Sequence, residues 1–455
     1  MYIYYTMSND NNTDNDNDND NESFMSCLED DADDETDVQL LECMEEEDWY
    51  EIETQAKQYI DEYISDNLVG FSSPLFASKI AEDVAETILP ECSEEEFDQL
   101  KDWATKWVEE YFCMVGLPPR QEEHHCETGL SISEAYPHIE RILAESQHKQ
   151  RTAEWYESRH NMLTASNLWK VFGSQAQYNS LVYEKCKPIN TFFMEKRSQI
   201  NVDSDNPLHV GIKYEPLSVQ LYEQRFGAKV SDVGCITHPA YPYLGASPDG
   251  VHTDPALPLY GRMIEVKNIV NREITGIPLE SYWIQMQVQM EVCDLEECDF
   301  IETRFMDITE KPADDCPEQT GKILYLIPRS HSEEIRAEYV YMPLDIATFS
   351  EADTEWTEAQ RVKYAATHIL YKTSYWRLDQ FSCILVRRNR EWFAKAQPKI
   401  AEMWETIVRE RETGYEHRAA VSRKVKPEVV CSDTSTSHYI RNMPFSSNVC
   451  LVKLG

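Results

Sequence analysis

Between residues 215 and 342 the hydrophobic pattern changes period repeatedly, and that order restricts the fold more than any other feature of the chain. A helix is expected over 215–226, closed by Gly227 as a C-cap. Three β-like stretches follow, at 229–237, at 243–251 across a turn at Pro248-Asp249-Gly250, and at 262–269. A helix over 279–293 then precedes strands at 300–306, 323–327 and 338–342. Helix, three strands, helix and more strands describe an α/β or α+β domain with a central mixed sheet flanked by helices.

The segments on either side differ in kind. Residues 1–50 hold 18 acids and no base, whereas residues beyond 150 hold 42 acids against 35 bases, so the formal charge of −40 says little about what the larger part of the chain binds. Asn and Asp dominate 9–20, and 1–50 reads as a disordered acidic tail, with too few large apolar residues to offset the entropy of ordering. Over 51–135 the spacing of Ile60, Ile64 and Leu68, of Ile80, Val84 and Ile88, and of Phe97, Leu100, Trp103 and Trp107 predicts a helical module, its third helix opened by Ser93 with Glu96. The core is expected over 136–345, with a first helix around 139–159. A helical C-terminal extension follows over 346–412, including a long helix at 390–411 that Pro398 should kink, and then a loosely ordered tail at 413–455.

No run approaches the roughly 18 apolar residues of a membrane span. The apolar opening at Met1 to Tyr5 lacks the basic flank of a signal peptide, so an intracellular place without membrane partners is expected. Thirteen scattered cysteines with no Cys-x-x-Cys suit reduced thiols. Cys113, His124, His125 and Cys126 form a loose donor group, but the paired short-spacing ligands of structural zinc sites are missing.

The candidate chemistry begins at Asp249, in a tight turn at a strand end. Sixteen positions later Glu265-Val266-Lys267 sits inside an apolar strand, where alternation places Glu265 and Lys267 on one face and Val266 in the core. Two carboxylates converging from a turn and a strand are hard oxygen donors that suit Mg²⁺. Alone, an acid-x-Lys triplet more often marks a solvated strand face. Its neighbours add weight: Glu215 offers another carboxylate, expected in the first turn of its helix, and Tyr282, Gln285 and Gln289 share one face of an otherwise apolar helix where amides need partners. Gln287 falls off that stripe. Trp155 and Arg159 are four apart on a helix and Ser166 can cap the next one, which gives either an anion site for a terminal phosphate or a capped helix with a surface arginine.

Taken in order, Trp155-x3-Arg159-x4-Thr164-Ala165-Ser166, Gly211-x3-Glu215, Ser247-Pro248-Asp249-Gly250, Glu265-Val266-Lys267 and Tyr282-x2-Gln285-x-Gln287 resemble the lambda exonuclease and YqaJ-like viral recombinase family of PD-(D/E)XK nucleases, over about 147–306. The C-terminal part is similar to members from large nucleocytoplasmic DNA viruses. The resemblance implies a restriction-endonuclease-like core and an alkaline exonuclease dependent on Mg²⁺, with Mn²⁺ as a substitute. Such an enzyme degrades one strand of double-stranded DNA from the 5′ end and leaves 3′ overhangs for recombination or replication. Carried over by position, Glu215, Asp249, Glu265 and the Val266 carbonyl bind metal, and Lys267 positions or activates the water. Gln285 orients the lysine or the scissile phosphate, Tyr282 and Gln287 help position substrate, and Arg159 with Ser166 holds the 5′ phosphate. The family also implies a single-strand annealing partner, a homo-oligomer (a trimer by resemblance alone) and, for a viral chain, the host cytoplasm or nucleus. Asn268-Ile269 stands where family members often have Cys-Pro, and the interval from Asp249 to Glu265 is longer than in the shortest members.

Two other readings stay open on the same residues: a structure-specific endonuclease, and a non-catalytic DNA-binding recombination scaffold. The second has no reason to crowd carboxylates beside DNA. Within 384–411, seven bases (Arg387, Arg388, Arg390, Lys395, Lys399, Arg409 and Arg411) face four acids and could track phosphates or simply form a solvated face.

Overall fold

The computed structural model describes residues 46–88, 94–127, 131–145, 152–189, 207–310, 319–329 and 338–420. Most of the acidic tail expected at 1–50, the Ser93 cap and residues 421–455 of the expected C-terminal tail lie outside the described residues.

The N-terminal part is helical: α1 (Glu46–Asn67), α2 (Phe76–Ile88) and α3 (Glu94–Met114), followed by the two-residue strand β1 (Glu122–Glu123). The helix expected over 139–159 is two helices. A capping box of Ser131 and Glu134 opens α4 (Ile132–Ala144), and Thr152 caps α5 (Ala153–His160) through the Trp155 amide. Next come β2 (Leu163–Thr164), the one-turn α6 (Ala165–Leu168), α7 (Gln175–Cys186) and α8 (Pro207–Phe226), which Gly227 closes at φ +60° as expected. The core continues through β3 (Ile236–Thr237), β4 (Leu244–Ala246), β5 (Gly250–Val251), β6 (Met263–Asn268), α9 (Glu280–Cys293), β7 (Glu297–Ile308), β8 (Thr320–Pro328) and β9 (Glu338–Tyr341). It ends with α10 (Glu351–Tyr364), the long β10 (His368–Arg387) and α11 (Arg390–Thr413), which runs on through Pro398.

The result is the expected α/β architecture, a central mixed sheet flanked by helices. Its main sheet has the order β5-β6-β7-β10-β8-β9, with β1 added beside β10. Only β6 and β7 are parallel, and α9 makes the crossover that a parallel pair requires. A smaller sheet, β2-β4-β3, lies on the other side of α9. Between the two sheets α9 is buried on every side from Trp283 to Met290, so its helical period is hidden behind continuous burial.

Two expectations about organisation change. β10 lies inside the 346–412 segment expected to be helical, and it pairs with β7, β8 and β1, so the sheet does not end at residue 345. The helices expected to form a separate module share the main core: Ile60, Ile80 and Trp107 belong to one cluster with Trp283 and Trp392. Phe71 meets Trp283 at 5.7 Å between ring centroids, and the indole N–H groups of Trp283 and Trp392 donate to the carbonyls of Arg120 and Val69. Each such aromatic removes roughly 150–250 Å² from water, which ties these helices to the sheet domain. No described helix is long and apolar enough to cross a membrane.

Candidate active site

The β5–β6 pairing sets Gly250 opposite Ile264, and this brings the Asp249 turn beside Glu265. Glycine is required at 250 because a Cβ there would lie 1.9 Å from Val230 Cγ1. Asp249 Oδ2 accepts the Val266 amide at 2.7 Å, which fixes the turn against the strand.

Glu265 is fully buried and held on both oxygens. Gln285 Nε2 donates to Oε1 and Gln289 Nε2 to Oε2, each at 2.7 Å, and the Lys267 ammonium also meets Oε1. The stripe read from the sequence of α9 therefore has its partner, a carboxylate. Tyr282 completes the group, with Lys267 Nζ 4.9 Å from its ring centroid and Gln285 Oε1 3.5 Å from the same nitrogen. Val266 points its side chain into the cluster under α8, as strand alternation requires.

Burial first, then the charge of Glu265, pushes the Asp249 carboxyl well above the usual range; Lys267 opposes this and Glu215 adds to it. Burial lowers the Lys267 ammonium, but Glu265 and Asp249 outweigh it, and the net shift is upward. The lysine thus stays charged and acts as a donor. Glu215 is exposed on α8 and reaches Asp249 electrostatically. It lies in the third turn rather than the first, because α8 already begins at Pro207. Asp249 beside Glu265, with Glu215 in the same field and the Lys267 ammonium opposing them, offers carboxylate oxygens in an excess of negative charge, and the raised Asp249 records that excess. A hard divalent cation fits this arrangement.

Arg159 joins the site through Ser247. Its Nη1 donates to Ser247 Oγ at 3.1 Å, its guanidinium lies 4.7 Å from the Trp155 ring centroid, and the Ser247 carbonyl accepts from Gln289 at 3.4 Å. Ser166 departs from expectation. Thr164 occupies the N-cap position of α6 without a side-chain cap bond, and Ser166 is exposed two residues further in. No hydrogen bond among the described residues links it to Arg159. Gln287 also departs. Its amide donates to the Arg387 carbonyl at 2.8 Å and accepts the Asn389 amide at 2.7 Å, so it braces the β10–α11 junction instead of the carboxylate cluster.

Two residues beside the cluster had not been singled out. Glu302 stands opposite Lys267 in the β6–β7 register, and Arg272 pairs with Glu302 while lying 5.8 Å from the Tyr282 ring centroid. Parallel-strand register supplies that neighbourhood, and local sequence spacing carries no trace of it.

Behind Arg159, Lys185 is only 4% exposed and donates to the Arg159 carbonyl at 2.6 Å. Burial lowers its ammonium from 10.5 to about 8; Glu184 resists, while Arg159, Arg411 and Lys170 add to the fall. Between those values the unfolded chain binds more protons, so stability rises as pH increases through the window. Urea unfolding from pH 8 to pH 10 should show a gain of about 2–3 kcal/mol over a Lys185→Met variant. Identical slopes in the two proteins would remove Lys185 as its source.

Residues 154–296 match the YqaJ-like viral recombinase domain. An uncharacterized protein of Acanthamoeba polyphaga mimivirus is 25% identical over 301 residues, 58% of this chain and 53% of that protein. The chain thus spans about half the length of the curated relative it matches. Among solved structures, an alkaline exonuclease from Laribacter hongkongensis is 20% identical with a TM-score of 0.34, over 58% of this chain and 95% of that one. The same enzyme in complex with dAMP gives the same values. A phage-related exonuclease from Haemophilus somnus is 13% identical with a TM-score of 0.29, over 55% and 94% of the two chains.

Proposed function

We propose that this chain, whose residues 154–296 match the YqaJ-like viral recombinase domain, is a DNA exonuclease that hydrolyses one strand of a duplex from its 5′ end. The observation that carries the reading is the constellation of Asp249 and Lys267, both half-buried, around the buried Glu265, which Gln285 and Gln289 clasp. Glu215, Asp249, Glu265 and the Val266 carbonyl would hold Mg²⁺ or Mn²⁺. When bound, the ion supplies Lewis acidity to the scissile phosphoryl group and neutralises the carboxylates.

The chain's own groups do the rest. Lys267, kept charged by Glu265, donates to a phosphoryl oxygen or to the attacking water and offsets the charge that develops there. Gln285 fixes the lysine and the carboxylate relative to each other, and Gln289 fixes Glu265 relative to Ser247. Tyr282 lines the approach to Lys267. Arg159, steadied by Trp155 and Ser247, receives the 5′ phosphate. The 3′ overhang left behind is the substrate of a single-strand annealing protein, the partner this activity calls for inside the cell that holds the DNA.

End-labelled duplexes bearing a 5′ phosphate or a 5′ hydroxyl, and a circular duplex, test this with Mg²⁺ present. Linear phosphorylated DNA should be digested and circular DNA left intact. Arg159→Ala should slow digestion of phosphorylated ends about 10- to 100-fold and make the two end types nearly equal, since charge-assisted hydrogen bonds are worth roughly 1.5–3 kcal/mol each. Equal activity on circular and linear DNA would favour an endonuclease, and no cleavage of either would favour a scaffold.

A further inference from the structure

On the face of the main sheet away from Glu265 lies a second group of donors that the proposed exonuclease does not use. Antiparallel pairing matches Glu122 with Leu385 and Glu123 with Ile384, and the next step of that register brings His124 to Cys383. β10 in turn matches Cys383 with Ile301, two residues along β7 from Asp299, so all three side chains share one face. Their ligand atoms lie within 4.8 Å of one another. Asp299 pairs across β6 with Ile264, which packs under α8, whereas Glu265 turns to α9.

We propose that His124, Asp299 and Cys383 bind one Zn²⁺ that latches the 120–127 segment to the sheet. The imidazole is the strongest pointer. The His124 side chain is 8% exposed and its Nε2 stands at ion-pair distance, 3.2 Å, from Asp299 Oδ2, yet not in a geometry that makes a hydrogen bond. Buried polar atoms are rarely left so. Asp299 already serves Tyr222 at 2.6 Å through Oδ2 and Arg262 at 3.3 Å through Oδ1, and a carboxylate has lone pairs for one contact more. Imidazole, thiolate and carboxylate together form a zinc-type donor set, unlike the oxygen cluster around Asp249. The spacing rule that argued against zinc from the sequence fails here because β-sheet register, not local spacing, assembles the ligands.

Zinc binding replaces the Cys383 S–H bond with an S–Zn bond and releases the proton to solvent. The ion would reinforce contacts that already seat the segment, where Arg262 donates to the His125 and Glu127 carbonyls and Arg387 to Glu122.

The test reads metal, not cleavage, so it stands apart from the nuclease assay. Purified full-length chain, desalted after a weak chelator, should retain about one zinc per molecule with sulfur among its neighbours in X-ray absorption. His124→Ala and Cys383→Ser should lose it, while Asp249→Asn should keep it. Chelator-stripped wild type titrated with Co²⁺ should develop a thiolate-to-cobalt charge-transfer band, and that measurement decides the matter if the variants do not fold. Absence of both zinc and the cobalt band from wild type, or zinc unchanged in folded His124→Ala and Cys383→Ser, would overturn the site.

Discussion

Asp249→Asn should lower the single-turnover rate of phosphodiester cleavage by at least about 1,000-fold, while duplex affinity stays level or rises. The two halves of that expectation have one cause. The carboxylate stands next to Glu265 and within the field of Glu215, where burial and like charge already oppose its ionisation. In the proposed mechanism only a cation makes that charge useful, so the neutral amide forfeits the cation and with it the chemistry. The same substitution removes repulsion from the DNA phosphates. Asparagine can still accept the Val266 amide through its side-chain oxygen, so the turn should persist. Glu265→Gln should be equally inactive but less stable, because its new NH₂ must face Lys267, Gln285 or Gln289, which are donors to the native oxygens. Cleavage near the wild-type rate in folded Asp249→Asn would remove Asp249 from the mechanism.

The largest stability effect is expected at Arg262, whose side chain is fully buried. Its guanidinium meets Glu297 through Nε at 3.0 Å and Nη2 at 2.9 Å, reaches Asp299 at 3.3 Å, and donates to two carbonyls of the 120–127 segment. Arg262→Leu removes the guanidinium that two buried carboxylates share, leaving Glu297 only the more distant Arg387 at 3.6 Å and Asp299 only His124 at 3.2 Å among the charged side chains described, and truncating one side of such a network typically costs about 3–5 kcal/mol. Denaturant unfolding should show a loss of that order. The loss should shrink in Arg262→Leu combined with Glu297→Gln, since one uncompensated charge then disappears. A single-variant loss below about 1 kcal/mol would mean that water or rearrangement solvates these acids and that the network is not a structural keystone.

What could be read from the sequence is what depends on short periods. The two-residue period put Glu265 and Lys267 on one face, and the helical period put Tyr282, Gln285 and Gln289 on another. The structure joins those faces. Glu215 was misplaced within its helix because α8 starts eight residues earlier, and Ser166 because Thr164 takes the cap position. Gln287 is two residues from Gln285, nearly the opposite side of a helix, so the helical period already set it off the stripe; only the family resemblance gave it a substrate role, and it braces Asn389 instead. β10 escaped notice for a related reason. Register shifts at Leu370/Lys372 and Leu378/Gln380 interrupt the alternation that would mark so long a strand. The pairing of Arg272 with Glu302 and the approach of His124 to Cys383 depend on contacts between distant segments, which no local window contains.

The place of β10 in the chain has a consequence for how the protein is made. This strand is the last of the main sheet to leave the ribosome, yet it sits between β7 and β8 and carries β1 beside its end. Until it emerges, β7 has β6 on one flank only and β8 cannot join the same sheet, so two apolar strand edges await a partner during synthesis. The native topology is therefore complete only once a central strand, rather than an edge strand, has been added. Slow translation or early release before Arg387 exposes those edges to other chains.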